Sequence, residues 1–143
     1  MIKVVLDTNV LISGILTPKG KSAHILKLVA EEKIILFISK SIINEIRRVL
    51  NYPKLIKYTK KNNLNFKEIN EHLEALKQIA TQTPDKIKID VIKDDPSDNI
   101  ILTCALEGKV DYIISGDSHL KDLVIFKDIK IISPADFLDL ISK

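Results

Sequence analysis

The chain has little of what several protein classes depend on. Its one cysteine, Cys104, excludes an internal disulfide and a zinc site built from cysteines, which suits a reducing compartment. Only four glycines occur and none forms a phosphate cradle, so nucleotide-binding loops are absent. No apolar run approaches the roughly 20 residues of a membrane span, since Asp7 interrupts the run at the N-terminus. We therefore expect a soluble cytoplasmic protein with no membrane partner.

What the chain does have is enough apolar material for one core. Hydrophobic residues make up 45% of its 143 residues, and this length fits one compact domain. The sequence contains no repeat, low-complexity segment or linker. It therefore predicts a single domain over residues 1–143.

The charge is distributed unevenly along the chain. The net charge of +3 is too small to identify a partner. Residues 40–61, however, carry one acid, Glu45, and these basic side chains: Lys40, Arg47, Arg48, Lys54, Lys57, Lys60 and Lys61. Residues 90–98 have the opposite bias, with Asp90, Asp94, Asp95 and Asp98. A basic surface beside an acidic pocket suits a polyanion held over metal ions.

Short apolar runs alternate with helical stripes. The runs predict strands at 2–6, 34–38, 87–89, 112–114 and 129–132. The stripes and caps predict helices from Ser22 to near Glu32, from Ser39 or Ser41 to before Pro53, over 55–61, 66–80 and 96–108, and after Ser133. The segment 7–9 is predicted to be a polar loop. This alternation, without hairpin signals, indicates an α/β fold with a parallel sheet and right-handed crossovers.

Four carboxylates lie where a predicted strand ends or inside the helix that follows one: Asp7, Glu45, Asp98 and Asp117. Ligands of a parallel sheet bind beyond the carboxyl ends of its strands, so all four could share one crevice. Two such charges about 4 Å apart repel by roughly 4 kcal/mol at an effective dielectric constant near 20. A hard divalent cation removes that penalty, and carboxylate oxygens suit magnesium or manganese. The chemistry this predicts is phosphodiester hydrolysis.

Neighbouring polar residues fit the same hypothesis. Thr8 and Asn9 can orient Asp7, and Ser115 can do so near Asp117. Two more acids, Asp94 and Asp95, can replace or assist Asp98. We prefer Asp98 because it lies one turn into its helix, with Ile101 and Leu102 on the inner face.

Each acid also has a structural interpretation when it is considered alone. Asp7 and Asp117 can be turn residues, and Glu45 can border an apolar helix face. Asp98 can be a helix N-terminal charge worth only about 0.3 to 1 kcal/mol. Four such placements at one end of one sheet are less expected by chance than a site, so the conjunction favours a site.

The basic stretch has two interpretations as well. The side chains Arg47, Arg48, Lys54, Lys57, Lys60 and Lys61 can bind RNA or form a solvated surface. Tyr52 and Tyr58 lie among them and can either stack on bases or belong to the core. Cys104 shares an apolar helix side with Ile101 and Ala105, which indicates core packing.

The segments around these acids resemble the motifs of PIN-domain proteins. The run 2–11, with Asp7 after the first strand, is similar to the first acidic block of that family. The helix around Glu45 resembles the second block, and segments 95–99 and 111–117 are similar to the third and fourth. The match runs from end to end in the right order and closely resembles VapC-like ribonucleases, the toxin components of toxin-antitoxin pairs.

The resemblance implies a five-stranded parallel sheet between helices and an endoribonuclease that depends on one or two Mg²⁺ or Mn²⁺ ions. It assigns the acidic site to Asp7, Glu45, Asp98 and Asp117, with Glu45 contacting metal directly or through water. It also implies that Asn9 and Ser115 support that site. Family members are often dimers, and toxin members bind an antitoxin whose C-terminal segment blocks the active groove. The partners expected on this basis are RNA, an antitoxin and a second copy of the chain.

Other classes fit less well. A phosphatase of the haloacid dehalogenase type needs a second aspartate two residues after Asp7, where Asn9 stands. A response-regulator receiver needs an acidic pair after the first strand, whereas Asp94 and Asp95 come late. The main alternative is a PIN-like module that binds RNA or protein with weak or no catalysis. Because all four acids are present, the sequence favours the enzyme.

Overall fold

The computed structural model describes residues 1–87, 96–116 and 125–142. Within them lie the strands β1 Lys3–Leu6, β2 Ile35–Ile38, β3 Thr81–Gln82, β4 Tyr112–Ile114, β5 Ile125–Phe126 and β6 Ile129–Ile132. They form one sheet in the order β3-β2-β1-β4-β6-β5. The first five strands in that order pair in parallel, which confirms the five-stranded parallel sheet. The two-residue strand β5, which was not predicted, adds an antiparallel edge to β6.

Helices fill the connections between these strands. They are α1 Thr8–Leu16, α2 Lys21–Ala30, α3 Lys40–Leu50, α4 Pro53–Lys61, α5 Phe66–Ile79, α6 Pro96–Gly108 and α7 Pro134–Ile141. Most predicted helices are found within a few residues of their expected bounds, and Ser39 caps α3 by accepting the Ile42 N–H at 3.2 Å. Helix α2 begins one residue before the expected Ser22, after Gly20. None of the described helices is long and apolar enough to cross a membrane.

The polar loop predicted at residues 7–9 is wrong. Helix α1 begins at Thr8, directly after the strand, and Asp7 is its N-cap, accepting the Val10 N–H at 2.8 Å. The apolar run that follows Asn9 hides the helical period, since Val10, Leu11 and Ile12 are all buried. A nine-residue helix that is apolar on most sides leaves no amphipathic stripe for a sequence pattern to detect.

The third strand is also displaced from its prediction. It lies at Thr81–Gln82 beside β2, and Ile87 is outside any strand, while Ile89 falls outside the described residues. The cause is a competing acceptor, because the Glu107 carboxylate takes the N–H of Ile87 at 3.1 Å and that of Lys86 at 2.8 Å. Backbone donors held by a side chain cannot extend a ladder of strand hydrogen bonds.

The core surrounds the centre of the sheet on both faces. Val4, Val5 and Leu6 of β1 are each 0% exposed. Because successive residues of a strand point to opposite faces, helices must cover both sides of β1. Cys104 lies in this core as predicted, and burial raises the pKa of its thiol to about 12. A thiol with so high a pKa is not a nucleophile near neutral pH.

Three helices begin at the carboxyl edge of the sheet. Helix α1 starts directly after β1, and α3 starts directly after β2. Helix α6 ends near the opposite edge, because the Asp111 N–H that follows it donates to the Lys3 carbonyl at 2.8 Å. Its 13 residues span about 19 Å, so its first turn lies toward the carboxyl edge. The positive ends of three helix dipoles therefore gather where a ligand of such a sheet binds.

Candidate functional site

Asp7 is a buried carboxylate held in one orientation. It is 4% exposed and stands at the end of β1, where its own N–H donates to the Ile114 carbonyl at 3.1 Å. One carboxylate oxygen accepts the Val10 N–H, and the other accepts the hydroxyl of Ser115. Ser115 is itself fully buried at the end of the neighbouring strand β4. The register of β1 and β4 thus brings Ser115 to Asp7, whereas the sequence had suggested a role for it near Asp117.

Asp98 is the second buried carboxylate. It lies in the first turn of α6, as predicted, and is 6% exposed. Ile101 and Leu102, one turn further on, are 1% and 0% exposed, so they anchor the inner face of the helix. Carboxylates are rarely buried this deeply unless they are paired, hydrogen-bonded or bound to metal. A position at a helix N-terminus offsets part of the cost, because the dipole favours a negative charge there.

Glu45 is less buried and contacts an arginine. Its side chain is 14% exposed, and its two oxygens meet Arg48 at 2.5 Å from Nη2 and 3.1 Å from Nε. The hydrogen bonds and charge of Glu45 raise the pKa of Arg48 above its ordinary value. The guanidinium also lies over the ring of Tyr52, 5.3 Å from its centroid. Arg48 thus connects Glu45, a candidate site acid, to Tyr52, the residue before α4.

The polar residues beside Asp7 differ in environment. Asn9 is exposed on α1, whereas Thr8 is 8% exposed. The Thr8 hydroxyl oxygen is buried, and no group in the described part of the chain hydrogen-bonds to it. A buried hydroxyl in that state costs free energy unless a water, an ion or a ligand meets it. The carboxylates of Asp7 and Asp98 and the hydroxyl of Thr8, the residue after Asp7, are hard oxygen donors of the kind that magnesium and manganese prefer.

Part of the predicted site lies outside the described residues. These residues are Asp94 and Asp95, the possible substitutes for Asp98, and Asp117, the fourth predicted site acid. Over the ranges 1–87, 96–116 and 125–142, no group of three or more acidic, histidine or cysteine side chains is arranged to hold a metal ion. Any such group therefore needs a donor from the remaining segments.

A pair of acids that sequence reasoning missed fixes the segment after β3. The Asp85 carboxylate accepts from the Ser41 N–H at 3.0 Å and from its hydroxyl at 2.5 Å. The Glu107 carboxylate accepts three consecutive backbone N–H groups, beginning with that of Asp85 at 2.7 Å. These contacts tie the segment 85–87 to α3 and α6. No local pattern could reveal them, because each joins residues 20 to 44 positions apart.

The predicted basic surface is exposed as expected. The exposed lysines of α4 are Lys54, Lys57, Lys60 and Lys61. Tyr52 and Tyr58 are 39% and 41% exposed, so neither belongs to the core. Arg47 is paired with Glu74 of α5 at 2.9 Å on the surface.

Comparison with known proteins assigns the family. Residues 3–119 match the family model described as a PIN domain. The chain belongs to the PIN-domain family. Its members are generally nucleases. An uncharacterized protein of Methanocaldococcus jannaschii, MJ1680, is 34% identical to this PIN-domain chain, and the match covers 96% of this chain and 90% of that protein.

The solved structures that match this chain include a complex. A chain in the crystal structure of VapBC2 from Rickettsia felis, bound to a DNA fragment from their promoter, is 14% identical to this PIN-domain chain. The match covers 91% of this chain and 97% of that one, with a TM-score of 0.49. The family assignment therefore rests on the PIN-domain match over residues 3–119.

Proposed function

We propose that this PIN-domain chain is a metal-dependent endoribonuclease that hydrolyses RNA phosphodiester bonds. The observation that carries the proposal is the pair Asp7 and Asp98, two nearly fully buried carboxylates at the N-terminal ends of α1 and α6. Both helices begin toward the carboxyl edge of one parallel sheet, where such folds bind ligands. Membership in a family of nucleases supports the assignment.

The cofactor in this proposal is Mg²⁺ or Mn²⁺, as one or two ions. Asp7 and Asp98 would hold it, with Asp117 completing the set, Glu45 contributing directly or through water, and Asp94 or Asp95 assisting Asp98. When bound, the cation neutralises phosphate charge, lowers the pKa of water and stabilises the leaving 3′ oxygen. The oxygen-only chemistry of Asp7, Asp98 and the Thr8 hydroxyl supports a hard cation over zinc.

The chain's own residues hold the substrate and the acids in place. Ser115 and the Val10 N–H orient Asp7, so its carboxylate needs no rearrangement when a ligand arrives. In this proposal Arg48, which pairs with Glu45, would meet a phosphate of the bound strand. The exposed lysines of α4 would attract the RNA backbone, and the exposed Asn9 would support the site.

The deciding experiment is cleavage of defined RNAs with Mn²⁺ or Mg²⁺ by the parent chain, Asp7→Asn and Asp98→Asn. Both variants should lose at least about 100-fold in rate, because each removes a charged ligand. A matched control is Asp136→Asn, which removes a first-turn carboxylate from α7 instead of α6. Cleavage that survives both site substitutions, or that persists in excess EDTA, would contradict the proposal.

The same experiment separates the second candidate function. A PIN module that only binds RNA or protein would retain RNA binding and show no metal-dependent cleavage. We favour the enzyme because Asp7 and Asp98 are both nearly fully buried, whereas capping a helix needs no buried charge.

We further propose that the chain, as one PIN domain over residues 1–143, acts as the toxin of a toxin-antitoxin pair. In this proposal it forms a homodimer and binds an antitoxin whose C-terminal segment blocks the site. Support comes from the resemblance of all four acidic blocks to VapC-like ribonucleases. Expression that stops growth in the parent but not in Asp7→Asn, with relief by a co-expressed upstream gene, would support the role. Growth unaffected by active parent protein would contradict it.

A further inference from the structure

Helix α4 carries a concentration of positive charge that its own stability does not explain. It has four lysines and no acid in nine residues. Lys60 and Lys61 lie in the last turn, where the helix dipole favours cations, but Lys54 lies in the first turn, where the dipole opposes them. Lys57 also has like-charged neighbours three and four positions away, each costing about 0.2 to 0.5 kcal/mol. This arrangement becomes favourable when a polyanion covers the helix.

The same helix leaves two of its larger side chains exposed, while Leu55 is partly buried. Thr59 is its only buried residue, while Ile56 and Tyr58 are 38% and 41% exposed. Most helices gain their stability by burying one face, and α4 buries very little. On a helical projection, Tyr58 lies on the same exposed side as Lys54, four positions earlier. A flat aromatic surface therefore stands next to a cation.

A small cavity adjoins this ring. It has a volume of about 260 Å³ and is lined by Ser13, Leu16, Thr17, Lys54, Leu55 and Tyr58. Leucine side chains and the Tyr58 ring form apolar walls, and Ser13 of α1 and Thr17, which follows that helix, are both exposed. The volume is below the roughly 300 to 1,000 Å³ of sites for drug-sized ligands, so it suits a smaller flat group. Apolar walls, hydroxyls and an ammonium group match a nucleobase with its phosphate.

Contacts link this surface to the acidic site. Glu45 holds Arg48, and Arg48 lies over Tyr52, the residue that immediately precedes α4. A strand bound across Glu45 would therefore continue onto α4 within a few nucleotides. The ring of Tyr52 is covered on one side by Arg48, which leaves Tyr58 as the more accessible platform.

We propose that the cavity between α1 and α4 binds one unpaired base of single-stranded RNA, with Tyr58 stacking on the base and Lys54 meeting its phosphate. The inference rests on the proposed function and adds one base-binding subsite to it. A base inside an A-form duplex is already stacked between its neighbours and cannot enter the cavity.

The test measures RNA binding by fluorescence anisotropy in EDTA, where cleavage does not interfere. A single-stranded oligonucleotide and a duplex of the same sequence are compared on the parent, Tyr58→Phe, Tyr58→Leu and Tyr58→Ala. Alanine and leucine should weaken single-strand binding by roughly 5- to 100-fold, since one stacked base is lost, while phenylalanine retains it. Phe66→Ala, which removes another exposed aromatic ring at the start of α5, is the matched control and should bind as the parent does.

Several results would overturn the inference. One is a Tyr58→Leu variant that binds the single strand as tightly as the parent does. Another is a Tyr58→Phe variant that loses as much single-strand affinity as Tyr58→Ala. The third is a parent chain that binds the duplex as tightly as the single strand. Leucine keeps the apolar volume, so a folding failure in the alanine variant does not decide the outcome.

A second measurement separates this inference from the proposed function. Hydrolysis of bis(p-nitrophenyl) phosphate with Mn²⁺ requires the acidic site but no stacked base, so the parent should hydrolyse it and Asp7→Asn should not. A parent chain that hydrolyses no phosphodiester contradicts the proposed function, and the anisotropy series still decides whether Tyr58 stacks on RNA.

Discussion

At the scale of single residues, Asp7 has a structural role, and we propose a chemical one beside it. It caps α1 instead of forming a turn, and it accepts the hydroxyl of Ser115, while its role as a site acid remains our proposal. Its position could be predicted because a strand ending in Asp is a local signal. The contact with Ser115 could not, because it depends on how β1 and β4 align in the sheet.

The Thr8 hydroxyl gives the sharpest residue-scale prediction. Thr8→Val keeps the side-chain shape and removes a buried hydroxyl that has no hydrogen-bond partner in the described residues. The free energy of unfolding should therefore stay equal or rise by about 1 kcal/mol, because no buried hydroxyl is left unsatisfied. RNA cleavage should fall if the hydroxyl serves the site. Urea denaturation and cleavage rates measure the two effects.

A second threonine of the chain provides the control for the Thr8→Val prediction. Thr59→Val removes a buried hydroxyl that donates to the Ile56 carbonyl at 2.8 Å, so it should destabilise the protein without affecting cleavage. A Thr8→Val protein that is destabilised by more than about 1 kcal/mol would show that the hydroxyl has a structural partner.

At the scale of secondary-structure elements, the sequence predicted what local patterns control. Helix α5 has both an Asn65 cap and a clear apolar stripe, and it was placed correctly. The strand expected around Ile87 failed because Glu107, twenty positions away, takes that backbone donor. Alternation of apolar and polar residues indicates a strand only when no distant acceptor competes for the backbone.

Glu107 should make the segment 85–87 sensitive to acid. Partial burial raises the pKa of Glu107, but the N–H groups of Lys86, Ile87 and Asp85 lower it, and the net shift is downward. The ionised form therefore stabilises the fold above the unfolded pKa of about 4.3, and this contribution is lost as pH falls through the lower folded pKa. Glu107→Gln should lower the free energy of unfolding by about 1 to 2 kcal/mol at pH 7. This difference in stability from the parent should shrink below about pH 4.

Denaturation at a series of pH values checks this prediction. Glu71→Gln, which neutralises an exposed glutamate of α5, is the control and should show no comparable pH-dependent difference. If the free energies of unfolding of Glu107→Gln and the parent differ by the same amount from about pH 7 to about pH 3, the carboxylate charge is not what holds the segment.

At the scale of the whole molecule, a metal site should reveal itself in stability. A cation that binds only the folded chain adds about 2.7 kcal/mol at 100 times its dissociation constant, or about 5 to 10 °C in melting temperature at this size. Mn²⁺ should raise the melting temperature of the parent by that amount and have little effect on Asp7→Asn. Calorimetry in a calcium-free buffer, with and without Mn²⁺, measures this change. Equal shifts of the melting temperature in the parent and in Asp7→Asn would show that the ion binds elsewhere.

The acidic site was predictable as a set of positions but not as an arrangement. Strand ends and helix starts located Asp7 and Asp98, because caps and first turns leave local signatures. The tie between Glu45 and Arg48 is an i,i+3 contact within α3, but the exposure of Tyr58 depends on how α4 packs against its neighbours, which no single segment encodes. Local sequence patterns thus predict which residues are candidates for the site, whereas the contacts between distant residues depend on the tertiary structure.

The hydroxyl of Ser115 reaches Asp7 across 108 positions of the chain. At about 5 to 20 residues per second, the ribosome makes the second partner roughly 5 to 20 seconds after the first. A nascent chain therefore carries Asp7 with its Val10 contact but without the Ser115 hydroxyl, the second group that orients it. In the proposed nuclease, both contacts that hold this carboxylate exist only after residue 115 has been made.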